Sequence, residues 1–151
     1  MSDFASAGGT CIVDLTNIGI SPAPEHLKTV SEMLDVHVVA GCGYYVHRTH
    51  RPWLEDASVE HLAETIERDV TEGLGETGIR PGIIGEIGTS GEWYDCEERA
   101  LRAAARAAVP TRHCGERPYD RHRSARATDR RRSRGGKDST HDGWSFRTWT
   151  R

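Results

Sequence analysis

The sequence predicts an α/β fold in which helices alternate with the strands of a parallel sheet. Three short apolar runs are rich in β-branched residues, each is followed by a helical pattern, and polar or glycine-rich segments separate them. Units of this kind form right-handed crossovers, so the strands lie parallel and the helices cover the sheet. Two architectures fit this order: a small doubly wound sheet, or part of an eight-unit (β/α) barrel, which needs about 250 residues when complete.

The first unit is predicted over residues 10–34. Residues 10–16 form a short apolar strand that ends in a polar loop, and Ser21 followed by Pro22 is typical of a helix N-cap and first helical residue. A helix is predicted over residues 22–34, because three apolar residues recur on one face: Leu27, Val30 and Leu34.

The second unit begins with a strand at residues 36–41. Ser58 is then expected to cap a helix that ends near Gly73. The apolar face of this helix is predicted to hold Val59, Leu62, Ala63, Ile66 and Val70.

The third unit begins with a strand at residues 82–87, in which Glu86 stands between β-branched apolar residues before a glycine-rich loop. Asp95 and Glu98 have the spacing of a capping box at the start of the next helix. The buried face of that helix is predicted to hold Leu101, Ala104, Ala105 and Ala108.

Polar groups follow each predicted strand, where the carboxyl ends of a parallel sheet place ligands. They are Asp14 and Asn17 after the first strand, Cys42, Tyr44, Tyr45, His47 and His50 after the second, and Glu86, Thr89 and Ser90 at the third. His47 and His50 lack the i, i+4 spacing of a helical zinc pair, so we favour a solvated loop there. For Asp14 we favour a structural hydrogen bond within its own loop.

Four segments occur in order and at matching spacing: residues 12–16 (IVDLT), 38–45 (VVAGCGYY), 77–88 (TGIRPGIIGEIG) and 101–108 (LRAAARAA). Together they resemble the phosphotriesterase family of amidohydrolase-type barrels, and the resemblance covers residues 5–108. It implies that the three units correspond to strands two, three and four of a TIM (β/α)8 barrel. The expected fold class is therefore α/β, as a partial barrel over residues 1–109.

The resemblance also implies a chemistry. Family members hold a binuclear metal centre, usually zinc or another divalent metal, which activates a hydroxide to attack a small-molecule ester, lactone or phosphotriester. Residue by residue, only the bridging carboxylate on strand four carries over, and it falls on Glu86. Tyr45 falls where the family presents an aromatic wall to the substrate. No further catalytic residue is assigned.

The other metal ligands of the family have no counterpart here: neither the His-x-His of strand one nor the histidines and aspartate of strands five, six and eight. Whether this chain is itself an enzyme therefore stays open, and we expect it to be inactive as an incomplete barrel. A separate polypeptide could supply the missing strands. The alternative is a non-enzymatic interaction fragment, because three units leave sheet edges unpaired and favour self-association.

Composition changes sharply at Val109. Residues 1–109 carry 8 basic and 18 acidic residues, whereas residues 110–151 carry 12 basic and 5 acidic residues and no Leu, Ile, Val or Met. Such a tail buries too little apolar surface to offset a chain entropy of roughly 1–2 kcal/mol per residue, so we predict that it is disordered. A frameshift near Ala108 or Val109 is our hypothesis for the break. The arginines and aromatic residues of the tail suit nucleic-acid binding, but we favour a solvated charge run.

The remaining sequence signals concern location. The four cysteines are far apart without a CxxC pair, which favours reduced thiols and a cytoplasmic protein. No leader pattern is present in the first ten residues, and no window approaches the ~18 apolar residues of a membrane span. We therefore expect a protein without a membrane partner.

Overall fold

The computed structural model describes residues 1–113 of the 151-residue chain. Its helices and strands are α1 Ser2–Ser6, β1 Cys11–Asp14, α2 Pro24–Leu34, β2 His37–Cys42, α3 Pro52–Glu55, α4 Val59–Glu72, β3 Ile83–Ile84 and α5 Asp95–Thr111, with a 3-10 turn at His47–Thr49. The predictions of disorder and of nucleic-acid binding fall mostly on residues 114–151, outside the described part. None of the described helices is both long and apolar enough to cross a bilayer.

The sheet has three parallel strands in the order β1-β2-β3. Ile12 pairs with Val38, and Cys42 pairs with Ile84. The contact between β2 and β3 continues past their ends, because the Gly85 NH donates to the Cys42 carbonyl at 2.7 Å. Each strand is followed by a helix, so the predicted α/β fold with a parallel sheet is confirmed.

Helices α4 and α5 pack together over one face of the sheet and form the core with it. The predicted apolar face of α4 is confirmed: Leu62, Ala63, Ile66 and Val70 are buried, and Val59 is half-buried. Full burial of a leucine or isoleucine side chain stabilises the fold by roughly 1.5–3 kcal/mol. Ser58 caps α4 as predicted, since its Oγ accepts a hydrogen bond from the His61 NH at 3.2 Å.

The predicted start of α2 is wrong by two residues. The helix begins at Pro24 with Ala23 as its N-cap, and Ser21 makes no cap but adopts a φ of +60°. The second proline decides this position, because a residue that precedes proline is disfavoured in the helical region. Ala23 accordingly has φ −130° and ψ 66°.

The predicted cap of α5 is wrong, and its predicted buried face is right in part: Ala104 is buried, and Leu101 and Ala108 pack against the core. Tyr94 is the N-cap and no side chain caps the helix, so Asp95 is its first residue rather than its cap. The buried face consists of Cys96, Glu97, Ala100, Ala103, Ala104 and Ala107, whereas Ala105 is exposed. Alanine occupies so much of this helix that the apolar pattern alone does not single out one face.

The sheet also leaves apolar surface open. Val13 on β1 is 52% exposed, and Met33 on α2 is 77% exposed. Val13 pairs with Val39, so both side chains lie on the face of the sheet opposite to Cys42 and Ile84. Helices cover one side of this sheet in the described residues, and its other side is only partly covered.

Candidate functional site

Glu86 lies two residues beyond β3, at the carboxyl edge of the sheet. Its side chain is exposed, while its main chain forms hydrogen bonds with two residues that follow β1. The Glu86 NH donates to the Leu15 carbonyl at 3.4 Å, and the Asn17 side-chain amide donates to the Glu86 carbonyl. The carboxylate itself forms no hydrogen bond or ion pair with any residue in the described range. The arrangement fixes the position of a carboxylate and leaves its oxygens available.

Asn17 is the residue that joins the end of β1 to Glu86. It is only 1% exposed, and its NH2 group must face the Glu86 carbonyl, because that oxygen can only accept a hydrogen bond. The other amide atom, Asn17 Oδ1, is buried and has no hydrogen-bond partner within residues 1–113. Asn17 therefore acts here on the main chain of Glu86.

Tyr45 lies in the β2 loop, which we define as residues 43–50. Its side chain is half-buried, its NH donates to the Ile18 carbonyl at 3.1 Å, and its carbonyl is 2.7 Å from His50 Nε2. Glu86 lies in the β3 loop, defined as residues 85–94. The Gly88 NH donates to the Tyr44 carbonyl at 3.0 Å, so the loops that carry Tyr45 and Glu86 are in direct contact.

Glu97 was missed by the sequence analysis. This carboxylate is fully buried in the first turn of α5 and accepts hydrogen bonds from the His47 NH at 2.8 Å, the Ser90 NH at 2.9 Å and the Ser90 hydroxyl at 2.6 Å. A signal did exist in the sequence. Glu97 precedes Ala100 and Ala104 by three and seven residues, so it is an acidic residue on an apolar helix face.

His47 and His50 lie in the β2 loop as expected, but they are packed more closely than a solvated loop implies. Both are half-buried, and their rings lie 6.2 Å apart. His47 stacks on Tyr94 with ring centres 4.0 Å apart, and its Nε2 lies 3.1 Å from a Glu55 oxygen. The His47 ring thus has structural partners in Tyr94 and Glu55, and the His50 ring has one in the Tyr45 carbonyl.

Tyr44 and Cys42 are not groups of the strand-end site. Tyr44 is fully buried and donates to the Leu62 carbonyl at 3.0 Å, while Cys42 contacts the Ile83 carbonyl at 3.6 Å. Burial, and next to it the charge of Asp69, raises the pKa of the Cys42 thiol to about 12. Asp14 accepts a hydrogen bond from the Thr16 NH at 2.9 Å, as its structural interpretation predicts.

A cavity of about 660 Å³ lies elsewhere, between the start of α2 and α4. Its lining includes Trp53, His61, Asp69 and Leu74, but neither Glu86 nor Tyr45. Asp69 is 7% exposed, and burial raises its pKa from 3.8 to about 6 although nearby Arg68 opposes the shift. This cavity is therefore separate from the strand-end carboxylate.

A catalytic metal needs more ligands than this part of the chain provides. Within residues 1–113, no three His, Cys, Asp or Glu side chains are grouped so that they could hold a metal ion. A catalytic zinc has about three protein ligands, and Glu86 supplies one carboxylate. The described residues alone do not fit a complete metal centre.

Sequential parallel strands with a helix after each strand are the repeating units of a (β/α) barrel, and Glu86 lies at the strand ends, where such barrels bind ligands. The family model of the phosphotriesterase family matches residues 1–128. The chain belongs to the phosphotriesterase family, whose members are metal-dependent hydrolases. The expected partial TIM barrel is thereby confirmed.

Relatives with known names support this assignment. The chain is 36% identical over 111 residues to a phosphotriesterase-related protein of Nematostella vectensis, covering 74% of this chain and 32% of that protein. It is 41% identical over 104 residues to the N-acetyltaurine hydrolase of Danio rerio, covering 69% and 30%. The Escherichia coli phosphotriesterase homology protein, solved with phosphate in its active site, superimposes with a TM-score of 0.72 at 29% identity, covering 76% of this chain and 40% of that one. The chain spans about a third of the length of these curated relatives.

Proposed function

We propose that this chain supplies one bridging carboxylate, Glu86, to the metal centre of a phosphotriesterase-family hydrolase. The most direct support is the difference between the main chain and the side chain of Glu86. Its main chain is held by Leu15 and Asn17, while its carboxylate is exposed and makes no bond with the other described residues. A metal ligand needs carboxylate oxygens that no other protein group occupies, and the hydrogen-bonded main chain of Glu86 holds such a carboxylate at the end of the strand.

The substrate class that we propose is a small molecule with a hydrolysable acyl or phosphoryl bond: an ester, a lactone, a phosphotriester or an N-acyl amide. The amide is added because relatives at about 40% identity are N-acetyltaurine hydrolases. Tyr45 is proposed to face the substrate, since its loop lies against the β3 loop at the strand ends. The metal, zinc or another divalent ion, would polarise the substrate and activate water once complete ligation is available.

We further propose that the 151-residue chain by itself turns over no such substrate. A single carboxylate binds a divalent metal weakly, and the described part of the chain holds no cluster that would complete the ligand set. The exposed side chain of Val13 supports a second candidate function, in which the partly covered face of the sheet associates with another polypeptide.

The test uses the purified chain in three forms: wild type, Glu86→Gln and Glu92→Gln. Glu92 is an exposed carboxylate in the same loop and serves as the matched control. Zinc binding is measured by isothermal titration calorimetry, and hydrolysis is measured with a chromogenic ester, a lactone and N-acetyltaurine, with and without zinc. We expect weak zinc binding that is lost in Glu86→Gln and kept in Glu92→Gln, with no zinc-dependent turnover in any form.

Two results would contradict parts of this proposal. Zinc binding that is unchanged in Glu86→Gln would rule out the ligand role of that carboxylate. Zinc-dependent hydrolysis by the wild-type chain that disappears in Glu86→Gln would support the ligand role but show that the chain is active by itself.

A further inference from the structure

The buried carboxylate of Glu97 connects the two loops on which Tyr45 and Glu86 are mounted. We propose that Glu97 is a positioning residue, which sets the spacing between the β2 loop and the β3 loop at the strand-end site. The roles of Tyr45 and Glu86 rest on the proposed function, whereas the connection between their loops does not.

The contacts of Glu97 reach both loops at once. One carboxylate oxygen accepts from the His47 NH at 2.8 Å and from the Ser90 hydroxyl at 2.6 Å, and the other accepts from the Ser90 NH at 2.9 Å. His47 follows Tyr45 by two residues, and Ser90 follows Glu86 by four. A displacement of either loop would therefore stretch a hydrogen bond to the same carboxylate.

The lowered pKa of Glu97 indicates that the three hydrogen bonds are formed to its ionised carboxylate. Glu97 is fully buried, and burial alone would raise its pKa. The Ser90 hydroxyl, the His47 and Ser90 NH groups and the charge of nearby His50 together outweigh burial, so the pKa lies below the ordinary glutamate value. His47, with Glu55 on its far side, is the other ionisable neighbour on the β2 loop.

A simple capping role for Glu97 does not explain these partners. A capping carboxylate bonds to NH groups of its own helix terminus, whereas the partners of Glu97 are 50 and 7 residues away. The loops also touch directly, since a Cβ on Gly88 would lie 2.6 Å from the Val46 nitrogen and 2.8 Å from the Tyr45 carbonyl carbon. Because the loops are in contact next to this carboxylate, fixing one fixes the other.

Nuclear magnetic resonance of the full ¹⁵N-labelled chain tests the proposal. In the wild type, the amide protons of His47 and Ser90 are expected to shift with pH at one common midpoint, below the ordinary glutamate pKa. In Glu97→Gln this titration should disappear, and the signals of Tyr45, Val46 and residues 86–88 should move. Signals of the α4 core should stay in place. Glu98→Gln is the control, because Glu98 pairs with Arg102 at 2.5 Å on the outer side of α5.

Two outcomes would overturn the proposal: loop signals unchanged in Glu97→Gln, or separate midpoints for His47 and Ser90. Ser90→Ala is measured in parallel in case the glutamine variant does not fold, since it removes only the hydroxyl bond. Ser90→Ala changes the β3 loop, so it should shift the resonances of Tyr45 and Val46 on the β2 loop through Glu97. Unchanged resonances of Tyr45 and Val46 would also refute the proposal. Zinc binding that is unchanged in Glu86→Gln, with the shifts of His47 and Ser90 as expected, would count against the proposed function alone.

Discussion

Replacement of Asp69 by asparagine is expected to stabilise this protein at neutral pH. Asp69 is 7% exposed on α4, and its carboxylate forms no hydrogen bond or ion pair with residues 1–113. Burial raises its pKa from 3.8 to about 6, with the charge of Arg68 opposing the shift. Cys42 and Tyr44 are its ionisable neighbours in the core, and Glu25, His26 and His61 share the cavity that it lines. The folded state therefore holds a charge that the unfolded chain accommodates more easily.

The size of the effect follows from the pKa. A rise from 3.8 to about 6 corresponds to a penalty of about 3 kcal/mol on the folded, ionised state, at roughly 1.4 kcal/mol per pH unit. Below pH 3.8 the group is protonated in both states and the penalty vanishes. Between these values the folded state binds more protons than the unfolded state, so stability falls as pH rises, and above about pH 6 the loss is complete. Asparagine removes the charge, although its buried amide retains part of the cost of a polar group.

Urea unfolding followed by circular dichroism measures the difference. We expect Asp69→Asn to raise the free energy of unfolding by about 1–3 kcal/mol near neutral pH and to change it little near pH 4. Glu64→Gln, which removes an exposed carboxylate from the same helix, is the matched control and should have little effect at either pH. A variant that is no more stable than the wild type at neutral pH, with the same pH dependence, would refute the reasoning.

Three further predictions concern packing and backbone. Leu62→Ala should lower the free energy of unfolding by about 2–5 kcal/mol in urea denaturation, because this side chain is fully buried between α4 and the core. Ser58→Ala should lower the free energy of unfolding by roughly 1 kcal/mol in the same assay, since it removes the cap hydrogen bond from the His61 NH. An unchanged denaturation midpoint would show that this cap does not stabilise the fold. Gly88→Ala should destabilise by about 1–3 kcal/mol because a Cβ would collide with Val46, whereas Gly91→Ala, with nothing within 4 Å, should be nearly neutral in thermal melts.

Helix α4 shows how much of the fold local pattern can specify. A serine cap, a five-residue apolar stripe and a terminal glycine all agree along this segment, and Gly73 indeed ends it with a φ of +119°. Helix α5 lacks such contrast, because alanine is tolerated on either face, and its orientation is decided by tertiary contacts. The start of α2 depended on a choice between Pro22 and Pro24, which the restriction on the residue before a proline decides.

The candidate site was only partly predictable for a related reason. Glu86 could be found from a local pattern, an acidic residue at the end of an apolar strand. Tyr44 was misplaced because its side chain is directed into the core beside Cys42 rather than toward the edge. Local pattern could mark Glu97 as an acidic residue on an apolar helix face, but it could not show its role, which depends on an NH group 50 residues away. Contacts of that range appear only once the chain has folded.

Because Cys42 is buried, the reactivity of its thiol can report local opening of the sheet. Alkylating reagents attack thiolates, and a thiol whose pKa is about 12 and whose sulfur contacts the Ile83 carbonyl is protected from them. Cys11, by contrast, is exposed at the start of β1. Rapid labelling should therefore mark Cys11, and slow labelling of Cys42 would time the separation of β2 from β3. The labelling rate of Cys42 thus measures how often β2 and β3 separate by local unfolding.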